Sequence, residues 1–403
     1  MNLRVPLGAA IAFALVIAAL TFSITLNYAR SDYNERAIFL REREAANGKF
    51  AEVDREVRQR FFGTINEVHL MDSVVRGYLI GIGDPNAMYW SAEENARRNQ
   101  NIVGENVGIG AVLQVHPSGY LLVREVFPES PAQAVGIEEG DWIISIEDTV
   151  LTPENAESQF VLIYDAVGTR ISLTVSREGE DFTVDITRRE VERPTVYASI
   201  IPETTIGYII ITEFTDRTLI QFNRELSRLQ GLGIESVIFD VRDNPGGNFR
   251  QAARVIGRLV PSGPIVSAVF RDGSVQVLEM SDANQVVMPM VVITNQNTAE
   301  AAELFALALR DYDLARIVGT TTAGSGAMLD EINLSDGSAI SITVALYQSP
   351  SGETWNETGV STDFEVTMPA ELEAIWRDLD ETTDPQLAKA IEVVLGIQFA
   401  EAA

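Results

Sequence analysis

The stretch NQNTAEAAELF, residues 295–305, decides how the second half of the chain is interpreted. It follows the apolar run VVMPMVVIT and opens a segment with apolar residues at helical spacing, so it predicts a strand that turns directly into a helix. A sharp strand-to-helix corner is a common position for a catalytic nucleophile. Here the corner carries Thr298, Ala299, Glu300 and Ala301. Glu300 is therefore the first candidate functional residue.

Residues 191–403 alternate strand and helix patterns on both sides of this corner. The clearest predicted strands are IGYIIITEF, ESVIFDV, PIVSAVF, VQVLEM and VVMPMVVIT, and the clearest predicted helices are LIQFNRELSRLQGLG, FRQAARVIGRLV and AAELFALALRDY. Such alternation implies a mixed sheet covered by helices, that is, an α/β fold. The turn Asn244-Pro245-Gly246-Gly247 follows one of these strands.

Residues 101–190 have a different pattern, which predicts a small β domain. The short β runs GIGAVLQV, YLLVREVF, DWIISIED, RISLTVSRE and DFTVDITRR are separated by two short helical patterns, SPAQAVGI and ENAESQFVLIYDA. Strands of this length and number predict a partly open barrel. Together with the α/β region, this domain implies at least two folded cores in a chain of 403 residues.

Composition excludes several classes of function. The net charge is −28 with only 30 Lys and Arg residues, so nucleic acid is not an expected partner. The chain has no Cys, which excludes disulfides, thiol catalysis and cysteine metal sites. Its two histidines, His69 and His116, are far apart in sequence, so we predict neither a Ser-His-Asp triad nor a metal or other cofactor.

The N-terminal 30 residues predict a membrane anchor. Val5 to Leu26 carries no charge and is long enough to span a bilayer, with Arg4 directly before it. A cleaved signal peptide and a buried helix are the alternatives. The preceding positive charge places the short end in the cytoplasm and the bulk of the chain outside it. Residues 31–100 read mostly as helix and form a predicted helical arm.

Several phrases in the right order resemble the carboxyl-terminal processing, or tail-specific, serine proteases. They include FDVRDNPGGN, the corner with its continuation to TTAGSG, LSDGSAISITVALYQSPSGE, GVSTDFEV and, in the arm, GIGDPNAMYWSAEE. The resemblance implies a helical arm (31–100), a PDZ domain (101–190) and an α/β protease core (191–403). It also implies a serine nucleophile, a lysine base and an orienting glutamine, with an oxyanion held near the Asn-Pro-Gly-Gly turn, here Gly246 and Gly247.

The chemical positions of that family are replaced in this chain. The resemblance places the nucleophile at Glu300, three residues before Glu303, and the base at Ser325, between Gly324 and Gly326. The glutamine position is Leu329. The chain has only two lysines, Lys49 and Lys389, and neither lies near these motifs in sequence. A hydroxyl needs a positioned base to attack an amide, so we predict an inactive serine protease site.

Three interpretations of Glu300 remain open from sequence. Asn297 is a good N-cap residue, and Glu300 three positions later would suit a capping box and the helix dipole. The Glu300 carboxylate could instead fill the anion site at Gly246 and Gly247. A third interpretation pairs it with Asp330 or Glu331 in a carboxylate-based hydrolase.

The function predicted from sequence is therefore a membrane-anchored PDZ protein that binds protein C-terminal tails or a partner protease, outside the cytoplasm. By resemblance, the loop Gly108-Ile109-Gly110-Ala111 binds the terminal carboxylate through its N–H groups, and the peptide adds as a strand to the adjoining sheet edge. A homo-oligomer formed through the arm is a further expectation. The alternative is an active serine-type endopeptidase with an unorthodox site.

Overall fold

The computed structural model describes residues 21, 22, 44, 47–96, 98, 107–282 and 286–402. The chain divides into two compact units, Met1–Val74 and Val75–Ala403, each described by itself below. Within the described ranges, no helix combines the length and the apolar character needed to cross a bilayer. The anchor predicted at residues 5–26 lies outside those ranges, except for residues 21 and 22.

The first unit contains helix α1, residues 47–60, and the start of helix α2, Glu67–Gly81. Phe50, Val53 and Val57 recur at helical spacing on α1, and they are 47, 53 and 41% exposed. An amphipathic helix normally packs such a stripe against another element. In the isolated chain this stripe faces solvent.

Residues 107–190 of the second unit form the small β domain that the sequence predicts. Its strands are β2 (Val107–Gly108), β3 (Ala111–Val115), β4 (Leu121–Val126), β5 (Trp142–Ile146), β6 (Thr149–Val150), β7 (Arg170–Arg177), β8 (Glu180–Thr187) and β9 (Arg189–Glu190). Its helices are α4 (Pro131–Ala134), α5 (Ala156–Phe160) and a 3₁₀ turn at Val161–Ile163. The sheet order is β3-β4-β5-β7-β8, so β3 is an edge strand that can accept another strand.

The main sheet of the core has six strands in the order β10-β11-β12-β15-β16-β19. Their bounds are β10 (Val196–Ile200), β11 (Ile206–Ile211), β12 (Ser236–Asp240), β15 (Met290–Thr294), β16 (Ala315–Gly319) and β19 (Phe364–Glu365). β10 is antiparallel to β11, and the remaining pairs are parallel. Every residue of β12 and β15 is buried, which is typical of parallel strands covered on both faces.

Helices cover both faces of this sheet. One face packs against α6 (Thr218–Gly231), α7 (Phe249–Ile256) and α8 (Ala301–Asp311) around a single large apolar core. The other face packs against α10 (Pro385–Ala402) through side chains such as Leu387 and Val394. Ala301 to Leu309 of α8 are all buried, as is the strand β15 that precedes the corner. The packing of both elements therefore fixes the position of the corner.

The mixed sheet predicted for residues 191–403 is present, and the structure also contains a second, antiparallel sheet. Its strands are β1 (Met88–Trp90), β13 (Gly263–Phe270), β14 (Val275–Ser281), β17 (Ala327–Asn333) and β18 (Ala339–Gln348). The four-residue connection from β13 to β14 forms a hairpin, so these two strands pair in antiparallel fashion. The short helices α3 (residues 92–96), α9 (Ala370–Glu373) and a 3₁₀ turn at Trp376–Asp378 complete the described elements.

Candidate functional site

The strand-to-helix corner forms where the sequence predicts it, between β15 and α8. β15 ends at Thr294 and α8 begins at Ala301, with Glu300 as the N-cap residue. Glu300 has φ +50° and ψ −115°. A non-glycine residue in such a conformation is strained by about 1–3 kcal/mol, and such strain is concentrated at functional sites.

The prediction that Asn297 is the N-cap residue and Glu300 the N3 residue of a capping box is wrong. The N-cap residue is Glu300, three residues after Asn297. Glu303 is the glutamate that reaches back, accepting the Glu300 N–H at 2.8 Å. Asn297 instead donates its side-chain amide to Asp243 at 2.8 Å. The loop before the helix is folded by Thr298, whose buried hydroxyl donates to the Val241 carbonyl at 2.8 Å, and this bond keeps Asn297 out of the helix start.

Glu303 ties the corner to the loop that carries Ser325. Its fully buried carboxylate accepts the Gly324 and Ser325 N–H groups at 2.7 and 2.8 Å, as well as the Thr322 hydroxyl. Burial raises the pKa of Glu303, and these hydrogen bonds oppose the shift without cancelling it. Glu303 therefore holds Glu300 and Ser325 in one site.

The Asn-Pro-Gly-Gly turn is bound to the same corner. The Asn244 side chain is fully buried and donates to the Ile211 carbonyl at 2.8 Å, while its main-chain oxygen accepts the Ala299 N–H at 2.9 Å. Gly246 and Gly247 have φ values of +102° and +101°. A Cβ on Gly246 would lie 2.4 Å from the Cβ of Glu300, so glycine is required for the turn to approach the corner.

Both N–H groups of the predicted oxyanion turn have partners. The Gly246 N–H donates to the Asn244 side-chain oxygen at 2.8 Å. The Gly247 N–H faces the Glu300 carboxylate and favours its charged form, which lowers the Glu300 pKa. The predicted anion site is thus occupied by the side chain that stands in the nucleophile position.

Glu300 is an unpaired anion in this site. Its side chain is exposed at the surface, yet the surrounding protein desolvates it enough to raise its pKa. The Gly247 hydrogen bond lowers this pKa, and the negative charge of Glu303 raises it further. Within residues 47–96, 107–282 and 286–397, no Lys or Arg forms an ion pair with Glu300, and the position that the resemblance assigns to the base is Ser325.

Ser325 lies on the loop, and Leu329 lies outside it. The half-buried Ser325 sits between two glycines that the packing requires, because a Cβ on Gly324 would be 2.9 Å from the Gly359 nitrogen and one on Gly326 would be 2.8 Å from the Asn356 nitrogen. Leu329 is 46% exposed on β17, opposite Thr343. The glycine pair is therefore explained by packing alone, whatever residue stands between the glycines.

The third interpretation of Glu300 finds no support in the geometry. Asp330 and Glu331 lie on the exposed strand β17, and Glu331 forms an ion pair with Arg98. The one carboxylate whose charge acts on Glu300 is that of Glu303. Among the described residues no group of three His, Cys, Asp or Glu side chains could hold a metal ion.

Two features of the site are absent from the sequence interpretation. Phe249 and Tyr347 stack with their ring centroids 4.0 Å apart, and Trp355 lies parallel behind Tyr347 at 6.3 Å. Burial raises the pKa of Tyr347, and the charge of Glu300 adds to the shift, so this aromatic stack lies near the corner. No spacing rule distinguishes Tyr347 from the other apolar residues of β18.

The second missed feature is a buried charge network behind the turn. Arg242 is 1% exposed and forms ion pairs with Asp240 at 2.5 Å and Asp384 at 2.8 Å. Its guanidinium lies 4.0 Å from the ring of Trp376. The Trp376 indole donates to Asp243 at 2.6 Å, so the segment around residue 376 is fastened to the turn.

The predicted tail-binding loop packs closely against the start of α4. Gly110 has φ +78°, and a Cβ there would lie 2.3 Å from the Ser130 Cβ. The Ile109 and Gly110 carbonyls accept the N–H groups of Ala132 and Phe127 at 2.8 and 2.9 Å. Within the described part of the chain, the Ile109 and Gly110 N–H groups donate to no other group, which leaves them for a ligand.

Two protein-family models and several known proteins match this chain. Residues 205–366 match Peptidase family S41, and residues 107–187 match the PDZ domain. The chain is 27% identical over 376 residues to carboxy-terminal processing protease CtpA of Bacillus subtilis, covering 92% of this chain and 78% of that protein. It is 25% identical over 405 residues to the carboxyl-terminal-processing protease of Synechocystis sp., covering 96 and 93%.

A solved structure shows the same fold. The photosystem II D1 C-terminal processing protease matches with a TM-score of 0.51 and 24% identity, over 83% of this chain and 92% of that one. The resemblance predicted from the motifs is thereby confirmed: the chain carries a PDZ domain and an S41 peptidase domain.

Proposed function

Starting from a PDZ domain joined to an S41 peptidase domain, we propose that this chain is an inactive member of that group that binds protein C-terminal tails or a partner protease. One observation carries the proposal: the residue at the nucleophile position, Glu300, places its carboxylate on the Gly247 N–H of the turn. A catalytic site needs that N–H for the oxyanion that forms during acyl transfer.

The absence of a base supports the same conclusion. Ser325 stands where the resemblance places the lysine, and Lys389 pairs with Glu392 on α10. Losing one member of a nucleophile–base unit lowers the rate by about 10⁴–10⁶, and losing the others adds little. The replaced positions therefore predict no measurable peptidase activity.

The test is digestion of an unfolded protein with an apolar C-terminus by the full chain, followed by mass spectrometry. We expect no specific cleavage products. Products that disappear in a Glu300→Ala variant would overturn the proposal and favour an active peptidase with an unorthodox site. Products that persist in that variant would indicate a contaminating protease, which a second purification removes.

We also propose that the chain is anchored by residues 5–26 with its bulk outside the cytoplasm, because that segment is uncharged and preceded by Arg4. Membrane fractionation and protease accessibility of intact cells and spheroplasts test this directly. Recovery of the chain in the soluble fraction, or protection of residues 107–402 from external protease in spheroplasts, would contradict it.

We propose that the chain forms a homo-oligomer in which the exposed apolar stripe on α1 is buried. Phe50 and Val57 are about half exposed, and a second copy of the same helix could bury them. Sedimentation of the chain in detergent should show an oligomer that Val57→Glu dissociates. Lys49→Glu, a change outside the stripe, is the matched control and should leave the oligomer intact.

A further inference from the structure

Arg188, between strands β8 and β9 of the PDZ domain, is a buried cation without a counter-ion. The residue is only 4% exposed. Among the residues that the structure describes, no carboxylate forms an ion pair with it. Arginine is seldom buried to this degree unless its charge is paired, because moving a charge out of water costs free energy. The positive charge at this position therefore needs an explanation.

Neutral oxygen atoms hold the Arg188 guanidinium in place. Its Nε donates to the Ile163 carbonyl at 3.2 Å, and Nη2 donates to the Leu162 carbonyl. Nη1 donates at 2.9 Å to both the Thr169 hydroxyl and the Arg170 carbonyl. These hydrogen bonds account for the position of the side chain, but because the acceptors are uncharged they leave its positive charge uncompensated.

The Arg188 guanidinium lies close to the first residue of the predicted carboxylate-binding loop. Gly108 pairs with Arg189, the residue after Arg188, where β2 and β9 meet. The Ile163 carbonyl that accepts from Arg188 lies 3.8 Å from the position that a Cβ on Gly108 would take. Both groups thus lie beside the same carbonyl. A buried charge at this range acts on the loop through protein, where water and salt screen it weakly.

We propose that Arg188 is a specificity-determining residue for the bound tail, whose terminal carboxylate is the counter-charge that the chain itself does not provide. The inference rests on the proposed binding of C-terminal tails at this loop. The N–H groups of Ile109 and Gly110 hold the carboxylate through hydrogen bonds, and the charge of Arg188 adds an attraction that an uncharged tail does not experience. The site therefore selects free C-termini over amidated ends and internal segments.

Calorimetric titration of the full chain with two peptides tests the inference: acetyl-Gly-Ser-Leu-Val-Leu-Val as the free acid and as its C-terminal amide. The ratio of the two affinities reports the charge, because a general loss of structure weakens both peptides equally. We expect Arg188→Gln to lower the acid-to-amide ratio by about tenfold and to leave the amide affinity within about twofold of the parent.

The two ways in which this experiment can fail are distinguishable. An acid-to-amide ratio that Arg188→Gln leaves at the value of the parent would overturn the inference alone. A parent chain that binds acid and amide equally would overturn tail recognition at the loop, and the inference with it.

Arg189→Gln is the matched control, because it removes an equal charge one residue further along the chain. Arg189 is exposed, and its guanidinium donates to the Glu129 carbonyl at 3.2 Å. Since water and salt screen an exposed charge, we expect this variant to change the ratio by no more than about twofold. A loss in Arg189→Gln equal to or larger than that in Arg188→Gln would assign the preference to surface charge and overturn the role of Arg188.

A second pair of variants leaves Arg188 in place and so does not depend on the folding of Arg188→Gln. Thr169→Asp puts a carboxylate where the hydroxyl now accepts from Arg188, which gives the guanidinium a counter-charge within the chain. Thr169→Asn puts a neutral oxygen at the same place. We expect the acid-to-amide ratio to be about tenfold lower in Thr169→Asp than in Thr169→Asn. Equal ratios in these two variants would overturn the inference.

Discussion

The backbone of Glu300 adopts the strained geometry that presents a reactive side chain at a strand-to-helix corner. Here it presents an anion, and that anion reaches the one turn N–H that Asn244 does not use. Glu303 sits one helical turn further on and adds a second negative charge. The site thus has the arrangement that binds an oxyanion, but the carboxyl group of Glu300, a side chain of the protein itself, lies there.

The first prediction concerns the pH dependence of stability. Because the folded-state pKa of Glu300 is raised, the stability linked to this group is fully present below about pH 4.5 and is lost as the pH rises through the folded pKa. Glu300→Gln removes this loss, since the amide oxygen still accepts from Gly247 and carries no charge. The melting temperature of the variant relative to the parent should therefore be higher at pH 7.5 than at pH 4.

Glu203→Gln is the matched control for this measurement. Glu203 also has a positive φ, +60°, and is exposed on a turn away from the site, so the substitution repeats the same chemical change at another residue with positive φ. A Glu300→Gln difference that is constant between pH 4 and 7.5 would contradict the assignment of Glu300 as a destabilised anion.

The second prediction concerns restoration of activity. Glu300→Ser with Ser325→Lys and Leu329→Gln should give weak turnover of a quenched fluorescent peptide, about 10²–10³ above any single variant, because nucleophile and base function as a unit. Glu300→Ser also releases the Gly247 N–H for the oxyanion. Burial would lower the pKa of a lysine at position 325, but the nearby Glu303 favours its charged form, so activity should increase from pH 7 to 10.

The control for background hydrolysis is the variant Glu300→Ala with Ser325→Lys and Leu329→Gln, which has the proposed base but no nucleophile. A folded triple variant that binds the peptide but never cleaves it would show that the corner, turn and loop no longer have catalytic geometry. Since Leu329 is exposed on β17, the double change without Leu329→Gln should retain most of any restored activity.

At the scale of elements, the sequence predicts correctly those helices, strands and turns whose formation depends on local sequence patterns. The corner, the turn and the small β domain follow from apolar periodicity and glycine positions. The separate antiparallel sheet does not, because β13 and β18 are apolar runs like those of the parallel strands, and their partners are set by chain connections and tertiary packing. The position of the helix start was missed for a related reason: the side-chain bonds of Asn297 and Thr298 depend on Asp243 and Val241, more than 50 residues away.

The third prediction belongs to the edge of the small β domain. Free-tailed apolar peptides should bind to the Gly108–Ala111 loop, and their C-terminal amides should bind about 10–100-fold more weakly, because charge-assisted hydrogen bonds contribute about 1.5–3 kcal/mol. Calorimetry with matched acid and amide peptides measures the difference. Gly110→Ala should abolish binding, since its Cβ would collide with Ser130. Equal affinity for acid and amide would show that this loop is not the recognition site.

At the scale of the whole molecule, charge is the dominant feature. Acidic residues number 58 against 30 basic ones, and most ion pairs among the described residues lie at the surface, where each contributes little. The Arg242 network is buried and is screened weakly by salt. Because the surface ion pairs contribute little and acidic residues are in excess, we expect repulsion between surface charges to outweigh attraction in its effect on stability.

The fourth prediction follows from this excess. A net charge of −28 destabilises the compact state by self-repulsion, and screening shortens from about 10 Å at 0.1 M salt to about 3 Å at 1 M. The melting temperature at pH 7.5 should therefore rise by several degrees as NaCl increases from 0.05 to 1 M. NaCl is the suitable salt because sulfate stabilises proteins by exclusion from their surface whatever their charge. Near pH 4.4, where the net charge is close to zero, the same titration should leave the melting temperature unchanged or lower it, because screening then weakens only the favourable pairs. A melting temperature that falls with NaCl at pH 7.5 would mean that ion pairing outweighs repulsion, despite the acidic excess.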